Sequence, residues 1–229
     1  CVRGAFEFQG QKCSAASRAY IPESLWPEVR RGLEDQMGRI KMGAVTDFSN
    51  FVNAVIDRSA FDTIRAYIDS ARTAADADII IGGKCDDSQG YFIEPTVILT
   101  TDPMFKTMQE EVFGPVLTVY VYPDAQYQAT LKTCDETSIY GLTGAIFASQ
   151  REAVSQAMTV LENAAGNFYI NDKPTGSVVG QQPFGGARAS GTNDKAGSAS
   201  NLMRWVSPRV VKETFDAPVR FEYPFMQGE

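Results

Sequence analysis

Short runs rich in β-branched and aromatic residues alternate with amphipathic stretches along this sequence, and this alternation constrains the fold more than any other feature. The runs predict strands, and the amphipathic stretches predict helices between them. Strands are expected at residues 18–22, 78–81, 91–99, 116–122, 144–148 and 168–171. Because helices of about 10–15 residues separate most of these strands, the sequence predicts an α/β fold with a mostly parallel sheet flanked by helices.

The predicted helices carry apolar faces. The first begins after Ser24, an expected N-cap, and has apolar residues at helical spacing up to residue 40. Further helices are expected from about residue 59, over 124–134 and over 151–161. The side chains expected to face the core are Trp26, Val29, Leu33, Met37 and Ile40 in the first helix, Phe61, Ile64 and Ile68 in the second, and Val154, Met158 and Leu161 in the last.

The sequence contains no histidine, and this excludes several classes of catalytic site. Ser-His-Asp and Cys-His catalysis, histidine-ligated zinc and imidazole bases are all ruled out. Lys and Arg total 21 against 28 Asp and Glu, a net charge of -7, so no nucleic-acid partner is expected. No apolar run approaches about 18 residues, so no membrane span is expected. Catalysis would have to depend on Cys, Glu, Asp, Lys, Tyr or a cofactor.

The four cysteines include one candidate nucleophile. They lack a Cys-x-x-Cys pair and wide spacing separates them, so we expect reduced thiols of an intracellular protein and no structural zinc site. Cys13 is the candidate, because Gly10 permits close backbone approach and the ammonium of Lys12 would favour the thiolate. The alternative is a small buried cysteine, an interpretation that also fits Cys85 and Cys134.

Two further segments could form a binding site. Residues 110–115 place two acids and a Phe before a Gly-Pro turn and a strand. At the carboxyl edge of a sheet, an acid can bind ribose hydroxyls and a Phe can pack on a planar ring; the alternative is a solvated turn with a core Phe. Residues 172–197 contain six glycines, which suits either a flexible linker or a binding loop. The Phe184 between these glycines favours the loop.

Four motifs occur together and in order over almost the whole chain. They are GQKC at 10–13 followed by Arg18, EEVFGP at 110–115, YGLTG at 140–144 and PFGG at 183–186. Together they resemble the aldehyde dehydrogenase superfamily. The resemblance implies that family's catalytic domain, with NAD as the cofactor.

Other motifs are similar to one branch of this family. They are GNFYINDK at 166–173, TGS at 175–177, GQQPFGG at 180–186 and SGTNDK at 190–195. That branch oxidises L-glutamate γ-semialdehyde, the open form of Δ1-pyrroline-5-carboxylate, to L-glutamate in proline breakdown. Two alternatives stay open: another branch of the family with a different aldehyde, and a non-catalytic truncated paralogue that acts as an interaction module.

The resemblance also implies roles for single residues. Cys13 would attack the aldehyde to form a thiohemiacetal and, after hydride transfer to NAD, a thioacyl-enzyme that water hydrolyses. Its backbone N–H would be one donor of the oxyanion hole. The implied substrate-binding residues are Ser14, Gly176, Ser177 and Phe184, and the implied cofactor-binding residues are Glu111 and Phe113.

The family pattern also implies what surrounds this chain. A nucleotide-binding domain, a glutamate base and an oxyanion-hole asparagine would precede the cysteine, so we expect the C-terminal part of a longer enzyme with little activity alone. Residues 1–214 are predicted to be the catalytic domain, and 215–229 a tail used in oligomerisation, with an aromatic strand at 219–225. The expected partners are a small aldehyde and other subunits of a homo-oligomer. The expected location is the mitochondrial matrix in a eukaryote, or the cytoplasm in a bacterium.

Overall fold

The structure, a computed structural model, describes residues 1–178 and 180–227, which form seven α-helices and ten strands. The helices are α1 (Val2–Phe6), α2 (Trp26–Met37), α3 (Arg58–Thr73), α4 (Lys106–Gln109), α5 (Tyr127–Glu136), α6 (Arg151–Val160) and α7 (Ala199–Leu202). The strands are β1 (Arg18–Pro22), β2 (Ala77–Ile81), β3 (Cys85–Asp86), β4 (Phe92–Ile93), β5 (Thr96–Thr100), β6 (Val116–Tyr122), β7 (Tyr140–Gly141), β8 (Thr143–Ile146), β9 (Asn167–Ile170) and β10 (Ala187–Arg188).

The central sheet contains four strands in the order β1, β6, β5, β2. Strand β6 pairs in parallel with both β1 and β5, whereas β2 lies antiparallel at the edge beside β5. Strands β8 and β9 form a second parallel pair, and β3–β4 and β7–β10 are short antiparallel pairs. The prediction of a mostly parallel sheet is therefore confirmed.

Helices cover both faces of the central sheet. Successive side chains of a strand point to opposite faces, so Val97 and Ile98 of β5 belong to different clusters. Ile98 packs with Ile64 of α3, and Val97 packs with Phe6 of α1 and Met37 of α2. Burial of each such side chain contributes about 1.5–3 kcal/mol. The three side chains predicted to face the core from the second helix are all buried: Phe61, Ile64 and Ile68.

Three local predictions are wrong. Leu25, not Ser24, precedes α2, because the N–H and hydroxyl of Ser24 donate instead to the carboxylate of Asp124. The predicted strand at 91–99 is two strands, β4 and β5, separated at Pro95, which has no N–H for a ladder. On α6 the side chain of Met158 is 48% exposed, and the smaller Ala157 is buried.

The tail does not form the predicted strand. The apolar and aromatic side chains from Val206 to Phe225 are exposed, and a 3₁₀ turn occupies Pro224–Gln227. A strand needs a neighbour, and no strand within residues 1–178 and 180–227 pairs with the segment 219–225, so its expected pairing with another subunit stays a prediction. The rings of Tyr223 and Phe225 stack on each other instead, with centroids 5.6 Å apart. In the part of the chain that is described, no helix has both the length and the hydropathy to cross a membrane.

Candidate active site

Cys13 lies in an exposed turn between α1 and β1. The N–H of Ala15 donates to the carbonyl of Lys12 at 3.0 Å, which makes Cys13 and Ser14 the central residues of a β-turn. The side chain of Cys13 is exposed, whereas Ser14 is buried. In residues 1–178 and 180–227 the Cys13 N–H donates to no backbone carbonyl. Its sulfur is therefore accessible, and within the described residues its N–H is not engaged by a backbone carbonyl.

The backbone before this turn is left-handed over three residues. Phe8, Gln9 and Gly10 have φ values of 56°, 58° and 64°. A Cβ on Gly10 would lie 2.2 Å from the carbonyl oxygen of Gly114, so only glycine permits this approach. The contact brings the Cys13 turn against the segment 110–115.

Strand direction explains why these two segments meet. The Cys13 turn precedes β1 and the segment 110–115 precedes β6, and β1 and β6 are parallel neighbours. Both segments therefore lie at the amino edge of the sheet, and our placement of residues 110–115 at a carboxyl edge is wrong. A guanidinium nitrogen of Arg18, the first residue of β1, donates to the carbonyl of Met108 at 3.1 Å and connects the same two regions.

The segment 110–115 presents two exposed side chains on one turn. Glu111 is exposed, and Phe113, with φ of 55°, is 47% exposed. Val112 between them is buried and holds the turn to the core. The neighbouring Glu110 accepts a hydrogen bond from the hydroxyl of Tyr67 at 2.6 Å. The exposed carboxylate of Glu111 and the exposed ring of Phe113 are therefore two residues apart, in a segment that contacts the Cys13 region.

The glycine-rich segment reaches the Cys13 turn from β9. The hydroxyl of Ser14 donates to the hydroxyl of Thr175 at 2.8 Å, and both residues are buried. Gly176, with φ of 83°, and the partly exposed Ser177 follow directly. The structure therefore joins the Cys13 turn, through Ser14, to the segment that continues with Gly176 and Ser177, and this hydrogen bond holds the start of that segment in place.

Phe184 is held separately from the Cys13 turn. Its backbone N–H and carbonyl exchange hydrogen bonds with Ala196 at 2.8 and 2.7 Å, and the ring is partly buried. The side-chain amide of Asn167 donates to the carbonyl of Pro183 at 3.1 Å. No hydrogen bond within the described residues joins Phe184 to the Cys13 turn, so its place in the substrate site stays a prediction.

The ammonium of Lys12 pairs with Glu7 in the structure, and its predicted effect on the Cys13 thiolate stays a prediction. The ammonium donates to Oε2 of Glu7 at 2.7 Å, and this bond lowers the pKa of the Glu7 carboxyl. The ammonium of Lys173 lies 3.9 Å from the same oxygen. No pattern in the sequence indicates Glu7, because only the left-handed turn at residues 8–10 brings it back to Lys12.

Residues 1–211 match the aldehyde dehydrogenase family. This chain belongs to that family. It is 61% identical over 98% of its length to a Δ1-pyrroline-5-carboxylate dehydrogenase, mitochondrial, of Dictyostelium discoideum, and 54% identical over 99% to the human protein of that name. It spans about 40% of each relative's length. A Mycobacterium tuberculosis Δ-pyrroline-5-carboxylate dehydrogenase bound with NAD superposes with a TM-score of 0.84 at 51% identity, over 98% of this chain and 41% of that one.

These matches confirm two predictions. The aldehyde dehydrogenase fold is confirmed, and so is the resemblance to the branch that acts on glutamate γ-semialdehyde.

In this member of the family, the described residues contain no group of three or more Cys, Asp or Glu side chains that could hold a metal ion.

Cys85 and Cys134 differ from Cys13 in their surroundings, because both are partly buried. Burial raises the pKa of the Cys134 thiol, and burial is also the largest cause of the raised pKa of Cys85. A raised pKa leaves less thiolate at neutral pH, and the thiolate is the reactive form. Both residues therefore fit the interpretation of structural cysteines.

Thiol labelling should separate these sites. In the full chain with Cys1, which is also exposed, replaced by serine, iodoacetamide near neutral pH should label Cys13 at least about 10-fold faster than Cys85 or Cys134. Labelling of Cys85 and Cys134 should increase as the pH rises. Peptide mass spectrometry of timed samples measures the three rates, and equal rates for Cys13 and Cys85 would contradict the assignment.

Proposed function

We propose that this chain supplies the nucleophile and the substrate-anchoring loop of an enzyme that oxidises L-glutamate γ-semialdehyde to L-glutamate with NAD. The observation that carries the proposal is the hydrogen bond from Ser14 to Thr175, which joins the exposed Cys13 to the loop of Gly176 and Ser177. The names of its relatives support the substrate. Because the chain spans about 40% of their length, we assign the activity to the enzyme that contains it.

Cys13 performs the covalent step. Its thiolate attacks the aldehyde carbon, a sulfur–carbon bond forms, and the carbonyl oxygen becomes negatively charged. The backbone N–H of Cys13 donates to this oxygen and stabilises the charge where it develops. When bound, NAD supplies the acceptor for the hydride that leaves the same carbon. Water then hydrolyses the thioester on Cys13, which releases the carboxylic acid and restores the thiol.

Glu111 and Phe113 suit a nicotinamide nucleotide. A carboxylate accepts hydrogen bonds from ribose hydroxyls, and the exposed carboxylate of Glu111 forms no ion pair within residues 1–178 and 180–227. The ring of Phe113 offers an apolar surface to a planar group, and its turn touches the Cys13 segment through Gly10. The two residues would hold the ribose and the ring near the reacting carbon.

The loop of Gly176 and Ser177 would hold the other end of the substrate. Its backbone N–H groups and the Ser177 hydroxyl can donate to the α-carboxylate while the aldehyde meets Cys13. Ser14 contributes through Thr175, whose position it fixes, and Phe184 would pack along the aliphatic part of the substrate. Two-ended binding of this kind orients a short polar aldehyde.

We extend the proposal to domain organisation, assembly and location. The family match ends at residue 211, which supports a catalytic domain over 1–214 and a separate tail over 215–229. The exposed aromatic residues of that tail support a role in homo-oligomer contacts, where another subunit would cover them. The mitochondrial relatives support the mitochondrial matrix if the source is a eukaryote, and the cytoplasm applies to a bacterium.

A chimeric enzyme tests the proposed function. This chain would replace the matching C-terminal part of the Dictyostelium relative, to which it is 61% identical, so that the nucleotide-binding part is supplied by that relative. We expect NAD reduction with glutamate γ-semialdehyde within about 10-fold of the parent enzyme, because the active-site segments share one fold. A chimera that folds and binds NAD but oxidises no aldehyde would overturn the proposal.

A further inference from the structure

The ammonium of Lys173 lies directly beneath the loop of Gly176 and Ser177. Its Nζ donates to the carbonyl of Thr175 at 2.9 Å. A Cβ built on Gly176 would lie 2.7 Å from the same Nζ, so the charge is in contact with the Gly176 backbone. The Lys173 side chain is 31% exposed and therefore only partly screened by water.

The charges around Lys173 do not cancel. Among the described residues, Glu7 provides the one carboxylate within 4.0 Å of the Lys173 Nζ, and it also pairs with Lys12 and with Arg3, whose Nε lies 3.8 Å from its Oε1. Glu7 is much closer to Lys12, at 2.7 Å, than to Lys173, at 3.9 Å. Asp172 is adjacent in sequence, but its carboxylate accepts from the Lys173 backbone N–H and forms no ion pair with the ammonium. Glu7 and Asp172 carry two negative charges against the three positive charges of Arg3, Lys12 and Lys173, so a net positive charge remains beside the loop.

We propose that Lys173 is a specificity-determining residue that favours aldehydes bearing a carboxylate, by placing a positive charge behind the loop of Gly176 and Ser177. The inference rests on the proposed function, which puts the substrate carboxylate on this loop. The backbone N–H groups and the Ser177 hydroxyl give that carboxylate neutral donors only. The Lys173 ammonium adds the full opposite charge that neutral donors lack, at a partly buried position where its attraction is strong.

Substrate pairs in the chimeric enzyme test this role. Lys173→Met keeps the length of the side chain and removes its charge. With glutamate γ-semialdehyde, we expect K173M to raise KM about 10–100-fold while kcat changes less than about 3-fold. With butanal, which has no carboxylate, KM should stay within about 2-fold. Lys173→Arg should restore most of the lost affinity, because it restores the charge.

A matched control and an independent readout complete the test. Lys132 is exposed on α5, and Lys132→Met makes the same change of charge away from the site, so both substrates should be unaffected. L-Glutamate should protect Cys13 from iodoacetamide, and K173M should need about 10–100-fold more glutamate for the same protection. This binding measurement does not depend on turnover.

The possible results distinguish failure of the Lys173 role from failure of the proposed function. Equal losses with glutamate γ-semialdehyde and butanal would show that Lys173 only supports the loop, and an unchanged KM with unchanged protection would show that its charge does not reach the substrate. Either result would overturn the role of Lys173 and leave the proposed function standing. An unsubstituted chimera that oxidises no aldehyde would instead overturn the proposed function, and the role of Lys173 with it.

Discussion

Replacing Cys13 by alanine should lower oxidation of glutamate γ-semialdehyde by the chimeric enzyme by about 10⁴-fold or more. The sulfur is the atom that bonds to the aldehyde carbon in the proposed reaction, and no other exposed group of its turn can replace it. Lys12 is paired with Glu7, and the Ser14 hydroxyl is buried and bonded to Thr175. The measurement is kcat/KM from NAD reduction, with NAD binding as a check that the protein is folded.

Two further variants make the result specific to Cys13. Cys13→Ser should be almost as inactive as Cys13→Ala, because a hydroxyl is far less acidic than a thiol and much less of it is ionised at neutral pH. Cys85→Ala should keep activity within about 3-fold, because Cys85 lies in β3, away from the Cys13 turn. Substantial activity in both Cys13 variants would remove the proposed nucleophile.

Replacing Gly10 by alanine should destabilise the folded chain by about 2–4 kcal/mol. The new Cβ would lie 2.2 Å from the Gly114 carbonyl oxygen, and the backbone φ of 64° already disfavours a side chain. Relief of the clash requires the Cys13 turn and the segment 110–115 to separate. Urea unfolding followed by circular dichroism measures the loss of stability, and activity in the chimera should fall as well.

Gly32→Ala is the matched control for Gly10→Ala. Gly32 lies inside α2, and a Cβ there would meet no atom within 4 Å. The same substitution should therefore raise stability by about 0.5–1 kcal/mol, because alanine favours a helix more than glycine does. If Gly10→Ala and Gly32→Ala changed stability equally, the close approach of Gly10 to Gly114 would not be as tight as the structure indicates.

The Gly10 contact also explains why a change remote from the sulfur can affect the reaction. The segment 110–115 carries Glu111 and Phe113, proposed to hold the cofactor, and it touches the chain three residues before Cys13. Displacement of either segment would move the hydride acceptor relative to the aldehyde carbon. A misplacement of about 1 Å can reduce the rate about 100-fold, so part of the expected loss in Gly10→Ala is one of alignment.

Local patterns in the sequence determined most of the secondary structure. The apolar spacing of α3 predicted the burial of Phe61, Ile64 and Ile68, and the β-branched run at 116–122 predicted β6, because both patterns follow from the period of one element. The motifs around Cys13 and Glu111 likewise indicated the family. The ends of elements and the tail were less predictable, as Ser24 and the segment 219–225 show, since these depend on partners elsewhere in the chain or outside it.

Only the tertiary structure decided how the site is assembled. No local pattern in the sequence shows that Ser14 bonds Thr175, which lies 161 positions away. Nor does any pattern show that the Lys12 ammonium binds Glu7, or that Lys173 lies against Gly176. The physical reason is that each contact depends on how separate segments fold against each other: the left-handed turn at residues 8–10 brings Glu7 to Lys12, and the segment after β9 packs against the Cys13 turn. Composition and spacing identified the reactive groups, whereas tertiary packing of the turns and loops determined which of them meet.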